Sequence, residues 1–148
     1  MAGNSTNRLF ALHLPEGWTD TTVYTFEGPG DSGVRHNLVV TVTPLEKDIG
    51  VVQFAKSQLE LSTQALPGLE ITGQSESSLP SGVPAYIVVY RFTSAENTTV
   101  YQKQYYVKVG ERGYTFTATF SKKTMKTIAA EVDRIVGGFR EIDPETLP

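Results

Sequence analysis

The chain has 148 residues, of which 39% are hydrophobic and 20% charged, a composition typical of one globular domain and unlike a disordered segment. Its formal net charge of −3 and its lack of a basic run argue against binding to nucleic acid. The sequence contains no cysteine, which excludes disulfides and thiolate metal sites, and no apolar stretch reaches the roughly 20 residues that a membrane-spanning helix needs.

The pattern predicts a single domain over residues 9–140, with a flexible N-terminus (1–8) before it and a loose C-terminal tail (141–148) after it. The first residues, MAGNSTNRLFALHLPEGW, lack the charged start and apolar run of a secretion signal. We therefore expect the protein to be cytoplasmic.

The first half of the domain shows strand patterns followed by a helical one. Alternating, β-branched and aromatic residues predict strands at 9–14, 21–28 and 35–45. A helix is predicted over 49–66, where Pro67 and Gly68 follow its last turn. Its proposed inner positions recur at helical spacing: Val51, Phe54, Ala55, Leu59, Ser62 and Leu66.

The second half indicates a meander of hairpins and a closing helix. Strands are predicted at 69–79, 83–94, 98–109 and 113–120, separated by the short breaks PSG, AEN and GERG. An apolar stripe predicts the last helix: Met125, Ile128, Ala129, Val132, Ile135, Val136 and Phe139. The expected fold is α+β, a mainly antiparallel twisted sheet of about six to seven strands flanked by two amphipathic helices. We expect both helices on one face of the sheet.

Motifs that suggest catalysis have simpler explanations. GDSG (30–33) and IVGG (135–138) are signatures of chymotrypsin-like proteases, but they occur in the wrong order, and neither His13 nor His36 has the context of a triad. They are better explained as a turn and a helix end. The remaining candidates are loop carboxylates, which we expect to be solvated: Asp20, Glu27, Glu46 and Asp48. We expect no enzyme activity, no cofactor and no metal, and we expect Trp18 to anchor its turn against the sheet.

The strands divide into two unlike faces. Alternation separates Val23 and Thr25 from Tyr24 and Phe26, and it places Gln102 and Gln104 together on one side of their strand. One face is therefore strongly apolar, whereas the other mixes small β-branched residues with amides. Such a face is typical of a partner-binding surface, although a merely hydrated sheet face has the same pattern.

Five segments in order resemble the DcrB (DUF1795) family, whose fold is similar to that of PsbP and Mog1. They span roughly residues 9–140 and are LHLPEGWTDTTVYTF (12–26), FAKSQLELSTQALPGLEI (54–71), GVPAYIVVYRF (82–92), VYQKQYYV (100–107) and GGFR (137–140). DcrB-like members are envelope lipoproteins with a lipobox cysteine. Without a cysteine or a leader, this chain looks more like the soluble branch, the Eag chaperones of type VI secretion effectors.

The resemblance implies a cytoplasmic, non-enzymatic homodimer that shields the hydrophobic N-terminal transmembrane helices of a PAAR/Rhs-type effector before export, without inserting into the membrane itself. In such chaperones a concave sheet face takes the helices, and glutamines hydrogen-bond to the helix backbone. The matching partner-binding positions here are Val23, Thr25, Val39, Gln58, Gln102 and Gln104. Thr25 departs from the pattern, because an aliphatic residue is more common there. The alternative is an envelope-associated or small-molecule-binding module of the same fold.

Overall fold

A computed structural model describes residues 12–31 and 34–141, which form one six-stranded antiparallel sheet and two helices. The strands are β1 (Val23–Asp31), β2 (Val34–Pro44), β3 (Glu70–Ser78), β4 (Pro84–Thr93), β5 (Thr99–Val109) and β6 (Arg112–Phe120). The helices are α1 (Val51–Ala65) and α2 (Ile128–Gly137), and a single 3-10 turn, Thr124–Lys126, precedes α2. The predicted α+β class is confirmed.

Tight turns join β3 to β6 into the predicted meander. Each turn has one residue with positive φ, at Gly82 (92°), Asn97 (63°) and Gly110 (58°). Glycine and asparagine tolerate this left-handed backbone, which explains why the short breaks of the sequence contain them.

The strand order is β1-β2-β6-β5-β4-β3, so the last strand of the chain lies inside the sheet. The β1–β2 hairpin joins the meander through β2, which pairs with β6 in register from Asn37↔Thr119 to Pro44↔Arg112. Both edge strands, β1 and β3, are consequently distant in sequence from each other, whereas β6 and β5 are central.

The two helices lie on opposite faces of the sheet, so the expectation of a shared face is wrong. Val132 and Val136 of α2 pack with Phe116, Ala118 and Phe120 on one side. Phe54 and Leu59 of α1 pack with Tyr86, Val88 and Tyr106 on the other. The physical reason is in β4, whose buried residues include the adjacent Ala85 and Tyr86, which point to opposite faces.

Three smaller expectations also differ from the structure. Residues 12–14 of the first predicted strand have no regular structure, and Pro15 follows them at a turn. Trp18 is 70% exposed and therefore does not anchor its turn against the sheet. Ile135 is 57% exposed because its neighbour Val136 occupies the inner position of α2. Residues 9–11, the predicted flexible N-terminus 1–8, residues 142–148 of the predicted tail (141–148), and residues 32 and 33 of the predicted turn lie outside the described residues.

Candidate functional site

The helix α1 covers only half of its sheet face. It packs against β4 and β5 and reaches β6 at Gly113, and among the described residues no hydrophobic cluster covers β1, β2 and the far half of β6 on that side. We call the uncovered area the open face, formed by Val23, Thr25, Val39, Thr41, Thr117 and Thr119. Because neighbouring strands lie about 4.8 Å apart, the three strands of the open face are about 10 Å wide from axis to axis.

Three of the predicted partner-binding residues meet on the open face. Thr25 lies directly opposite Val39 in the β1–β2 ladder, and Val23 lies opposite Thr41. Val23 is 54% exposed although it is apolar. This cluster of small β-branched side chains therefore presents apolar surface that the described part of the chain leaves uncovered.

Gln104 borders the open face from β5, but its amide is occupied within the sheet. Its Oε1 accepts a hydrogen bond from the Tyr106 hydroxyl. Its Nε2 donates to the Tyr90 hydroxyl at 3.1 Å and to Thr117 Oγ1 at 3.3 Å. The side chain is only 6% exposed, so these bonds satisfy an amide whose burial would otherwise cost stability.

Gln102 has a similar position with one donor to spare. Its Oε1 accepts from the Tyr90 hydroxyl, and its Nε2 donates to Thr119 Oγ1 at 3.1 Å. An amide nitrogen carries two protons, and the described contacts of Gln102 use one of them. Gln102 and Gln104, together with Tyr90 and Tyr106, form what we call the tyrosine–glutamine network.

Gln58 lies on the edge of α1 that borders this network. One turn later, the Ser62 hydroxyl donates to the Gln58 carbonyl oxygen at 3.4 Å, and Ser62 lies near enough to the Tyr90 hydroxyl to offset part of the rise in its pKa. Side chains four residues apart share one edge of a helix, so Gln58 and Ser62 lie on the same side. The structure thus brings all six predicted residues to one face of the sheet, in two groups: three on the open face and three glutamines beside it.

The site is uncharged over most of its area. Burial raises the pKa of Tyr90 to about 12 and raises that of Tyr106 above its ordinary range, so both hydroxyls stay protonated at neutral pH. The nearby ion pair between Lys103 and Asp133, 2.8 Å apart, lies on the α2 side of the sheet. Glu27 is at one end of the uncovered strands.

The sequence pattern missed two threonines that belong to the site. Thr117 and Thr119 on β6 accept hydrogen bonds from the two glutamines and are half-buried. The alternation T-x-T-x-T in residues 115–119 marks a polar β-branched face, and it could have identified them. Only the β5–β6 register, Gln104↔Thr117 and Gln102↔Thr119, connects that row to the glutamines.

The described part of the chain contains no arrangement suited to metal or triad chemistry. No three His, Asp or Glu side chains there gather as a set that could hold a metal ion. His36 is buried, and neither ring nitrogen has a hydrogen-bond partner, so no carboxylate orients it as a catalytic base. Within the same residues, neither helix has the length and apolar character to cross a membrane.

A model of the DcrB family matches residues 11–137, which include every strand and helix described above. The chain belongs to the DcrB family. No curated protein matches this DcrB-family chain in sequence.

Solved structures place this DcrB-family chain in the PsbP-like fold. PA94 from Pseudomonas aeruginosa, a protein of unknown function, matches with a TM-score of 0.73 and 16% identity over 90% of this chain and 96% of PA94. The cyanobacterial PsbP protein CyanoP from Synechocystis sp. PCC 6803 matches with a TM-score of 0.58 and 14% identity over 81% and 82% of the two chains. LpqN of Mycobacterium tuberculosis, involved in cell envelope biogenesis, matches with a TM-score of 0.57 and 18% identity over 72% of this chain and 62% of LpqN. At these identities the likeness shows a shared fold.

Proposed function

We propose that this protein is a non-enzymatic chaperone or adaptor that binds hydrophobic N-terminal helices of a type VI secretion effector of the PAAR/Rhs type before export. The proposal places it in the cytoplasm as a homodimer. The observation that carries it is the open face, an uncharged and partly apolar strip about as wide as one helix and bordered by α1.

The physical argument concerns how a membrane helix is kept soluble. Such a helix exposes apolar surface to water at a cost of roughly 25 cal/mol per Å². Val23 and Val39 supply apolar contact, while the threonine hydroxyls and the unused amide proton of Gln102 supply hydrogen bonds. Uncharged polar groups can form hydrogen bonds to a partner without the desolvation cost of a charge, so they are suited to binding an apolar partner.

The direct test is co-expression with the hydrophobic N-terminal region of an effector encoded beside the gene. We expect the effector region to be soluble only when this chain is present, and light scattering on the free protein to give the mass of two copies. An effector region that is equally soluble and abundant without the chain would rule the function out.

A substitution on the open face tests whether that surface binds the effector helices without affecting the folding of the protein. Val39→Asp places a charge in the middle of the open face, and we expect it to weaken capture by more than about tenfold because the charge must be desolvated. Val42→Asp is the matched control, since Val42 is on the same strand but on the opposite face and is 38% exposed. Circular dichroism should show both variants folded. Equal capture by the two variants would exclude the open face as the binding surface.

A further inference from the structure

The segment that precedes β1 leaves its apolar side chains in water. Every residue of 12–22, which we call the arm, is exposed, and Leu12 and Trp18 have exposed fractions of 75% and 70%. Leu14 is 40% exposed, and neither hydrophobic cluster of the described residues includes a residue of the arm. Large apolar side chains that are exposed together in one short segment mark an interaction site.

No hydrogen bond or ion pair within the described ranges ties the arm to the sheet or to a helix. The Trp18 amide donates to the Pro15 carbonyl oxygen at 3.2 Å, in a turn that Gly17 allows with its φ of 92°. Thr22 donates to Asp20 Oδ1 from its amide, at 2.9 Å, and from its hydroxyl. The arm can therefore change its position relative to the sheet without breaking a hydrogen bond to it.

The α1 side of the sheet has room for a second helix. Six strands at a spacing of about 4.8 Å span about 24 Å between the outermost axes, a width that two helices of about 10 Å cover. The helix α1 takes the position over β4 and β5, and the open face is the other position. The nine residues of β1 extend over about 30 Å, which is also the length of a helix of about 20 residues.

A helix on the open face would meet protein on only one of its flanks. On the β5 side it would meet α1, whereas β1 on the other side is the edge of the sheet and provides no wall. The arm leads directly into Val23, which is the first residue of β1 and a member of the open face. Trp18 lies five positions before Val23, so it reaches at most about 17 Å from that residue, which exceeds the helix diameter of about 10 Å.

We propose that the arm closes over an apolar helix bound on the open face and forms the second wall of the site, with Leu12, Leu14 and Trp18 as its contacts. This inference rests on the proposed function, since it adds a second contact surface for the same client. Closure removes two apolar surfaces from water together: the side chains of the arm and the flank of the helix that neither the sheet nor α1 contacts. A charged partner offers no such surface, so closure selects apolar helices.

The fluorescence of Trp18 reports on the arm alone, because Trp18 is the only tryptophan of the chain. The probe is a tryptophan-free Leu/Ala helix of about 20 residues with Lys at both ends. The control peptide has the same length and charge, with Gln in place of Leu. We expect only the apolar helix to shift the Trp18 emission to shorter wavelength and to reduce its quenching by acrylamide. Val39→Asp on the open face should abolish both changes at the same peptide concentration.

Binding of a dye-labelled form of the same helix measures how much the arm contributes to affinity. Trp18→Ala should weaken binding about tenfold, whereas Trp18→Phe keeps an aromatic ring and should weaken it by less than about threefold. Ile135→Ala is the matched control, because Ile135 is also apolar and 57% exposed but belongs to α2, on the other side of the sheet. It should bind within about twofold of wild type. Since both side chains are exposed, urea denaturation should show unchanged stability for all three variants.

The outcomes separate the role of the arm from the proposed function. If the apolar helix does not bind the wild-type protein, the proposed function fails and the inference fails with it. If the helix binds while Trp18 stays equally accessible to acrylamide, or if Trp18→Ala binds as tightly as wild type, the role of the arm is overturned and the open face alone is the binding surface. An emission shift that persists in Val39→Asp would mean that the helix binds the arm without the open face, which also overturns closure.

Discussion

The side-chain amide of Gln104 uses both its oxygen and its nitrogen in hydrogen bonds to neighbouring side chains. Tyr106 donates to its oxygen, and its nitrogen donates to Tyr90 and Thr117. Both tyrosines are almost fully buried. The Tyr106 hydroxyl depends on this amide for its acceptor, whereas the Tyr90 hydroxyl also donates to Gln102. Gln104 therefore stabilises the sheet beside the open face by linking side chains of β4, β5 and β6.

Replacing Gln104 should show how much stability the amide contributes. Gln104→Leu leaves the buried Tyr106 hydroxyl without a partner and removes the amide donors to Tyr90 and Thr117, and we expect a loss of about 1–3 kcal/mol in the free energy of unfolding. In a Tyr106→Phe background the same change should cost less, because one of the orphaned groups is already absent. Urea denaturation of the four proteins of this cycle measures the difference. Additive losses would mean that the two side chains do not interact.

The sequence identified which face of the strand the two glutamines occupy but not the hydrogen bonds that their side chains make. Alternation correctly put Gln102 and Gln104 on one side of a strand. It could not show that the hydroxyls of Tyr90 and Tyr106 would engage both amides, because those contacts depend on the β4–β5 register, in which Tyr90 faces Gln102. The prediction that Gln104 contacts a partner remains a prediction, and Gln102 has the amide proton that is available for such a contact.

The position of α1 decides which part of the sheet stays open. In its first turn, the ring of Phe54 packs edge-on against the ring of Tyr106, with the two ring centroids 5.8 Å apart. Gly113 at the start of β6 makes room for that ring, since a Cβ there would lie 2.6 Å from Phe54 Cζ and 2.9 Å from Leu45 Cδ1. A glycine in this strand therefore sets how closely helix and sheet approach.

Adding a methyl group at Gly113 should displace the start of α1. Gly113→Ala forces the buried Phe54 ring to move, and we expect a loss of about 1–3 kcal/mol in the free energy of unfolding. Gly73→Ala on β3 is the matched control, because a Cβ there meets nothing within 4 Å. Chemical denaturation compares them. If both variants have wild-type stability, the close contact between Gly113 and Phe54 does not restrain the helix.

The boundaries of the helices and strands could be predicted from the sequence, whereas the face of the sheet on which each helix packs could not. The predicted helix 49–66 contains α1, and the predicted strands of the meander end within a residue or two of β3 to β6. The apolar stripe of α1, with Phe54, Ala55 and Leu59, shows that the helix packs on something but not on which face. That choice depends on the alternation of β4, where both faces are apolar and periodicity alone cannot assign them.

Buried tyrosines are distributed through the whole molecule and link its stability to pH. Burial is the largest cause that raises the pKa values of Tyr90 and Tyr114 to about 12, and it also raises those of Tyr105 and Tyr106. An unfolded tyrosine ionises near 10, so above that pH the unfolded chain releases protons that the folded protein retains. Stability from these groups is therefore complete below about pH 10 and is lost as the pH rises towards 12.

Alkaline denaturation tests this linkage directly. We expect the free energy of unfolding to stay level from neutral pH to about 9 and to fall steeply between about 10 and 12. The tyrosine share is isolated by Tyr90→Phe, which should make the fall shallower. Tyrosinate absorbance should develop together with loss of structure. Full ionisation of all tyrosines in a still-folded protein would contradict the prediction.

The strand order also has a consequence for synthesis of the protein in the cell. The open face combines β1 and β2 from the first third of the chain with β6 from its last third, since β2 ends at Pro44 and β6 begins at Arg112. At about 5–20 residues per second, a ribosome leaves the β1–β2 hairpin without its neighbour for several seconds. The open face is therefore incomplete until β6 has been synthesised, so under the proposed function a client would be met only by a chain whose sheet is complete.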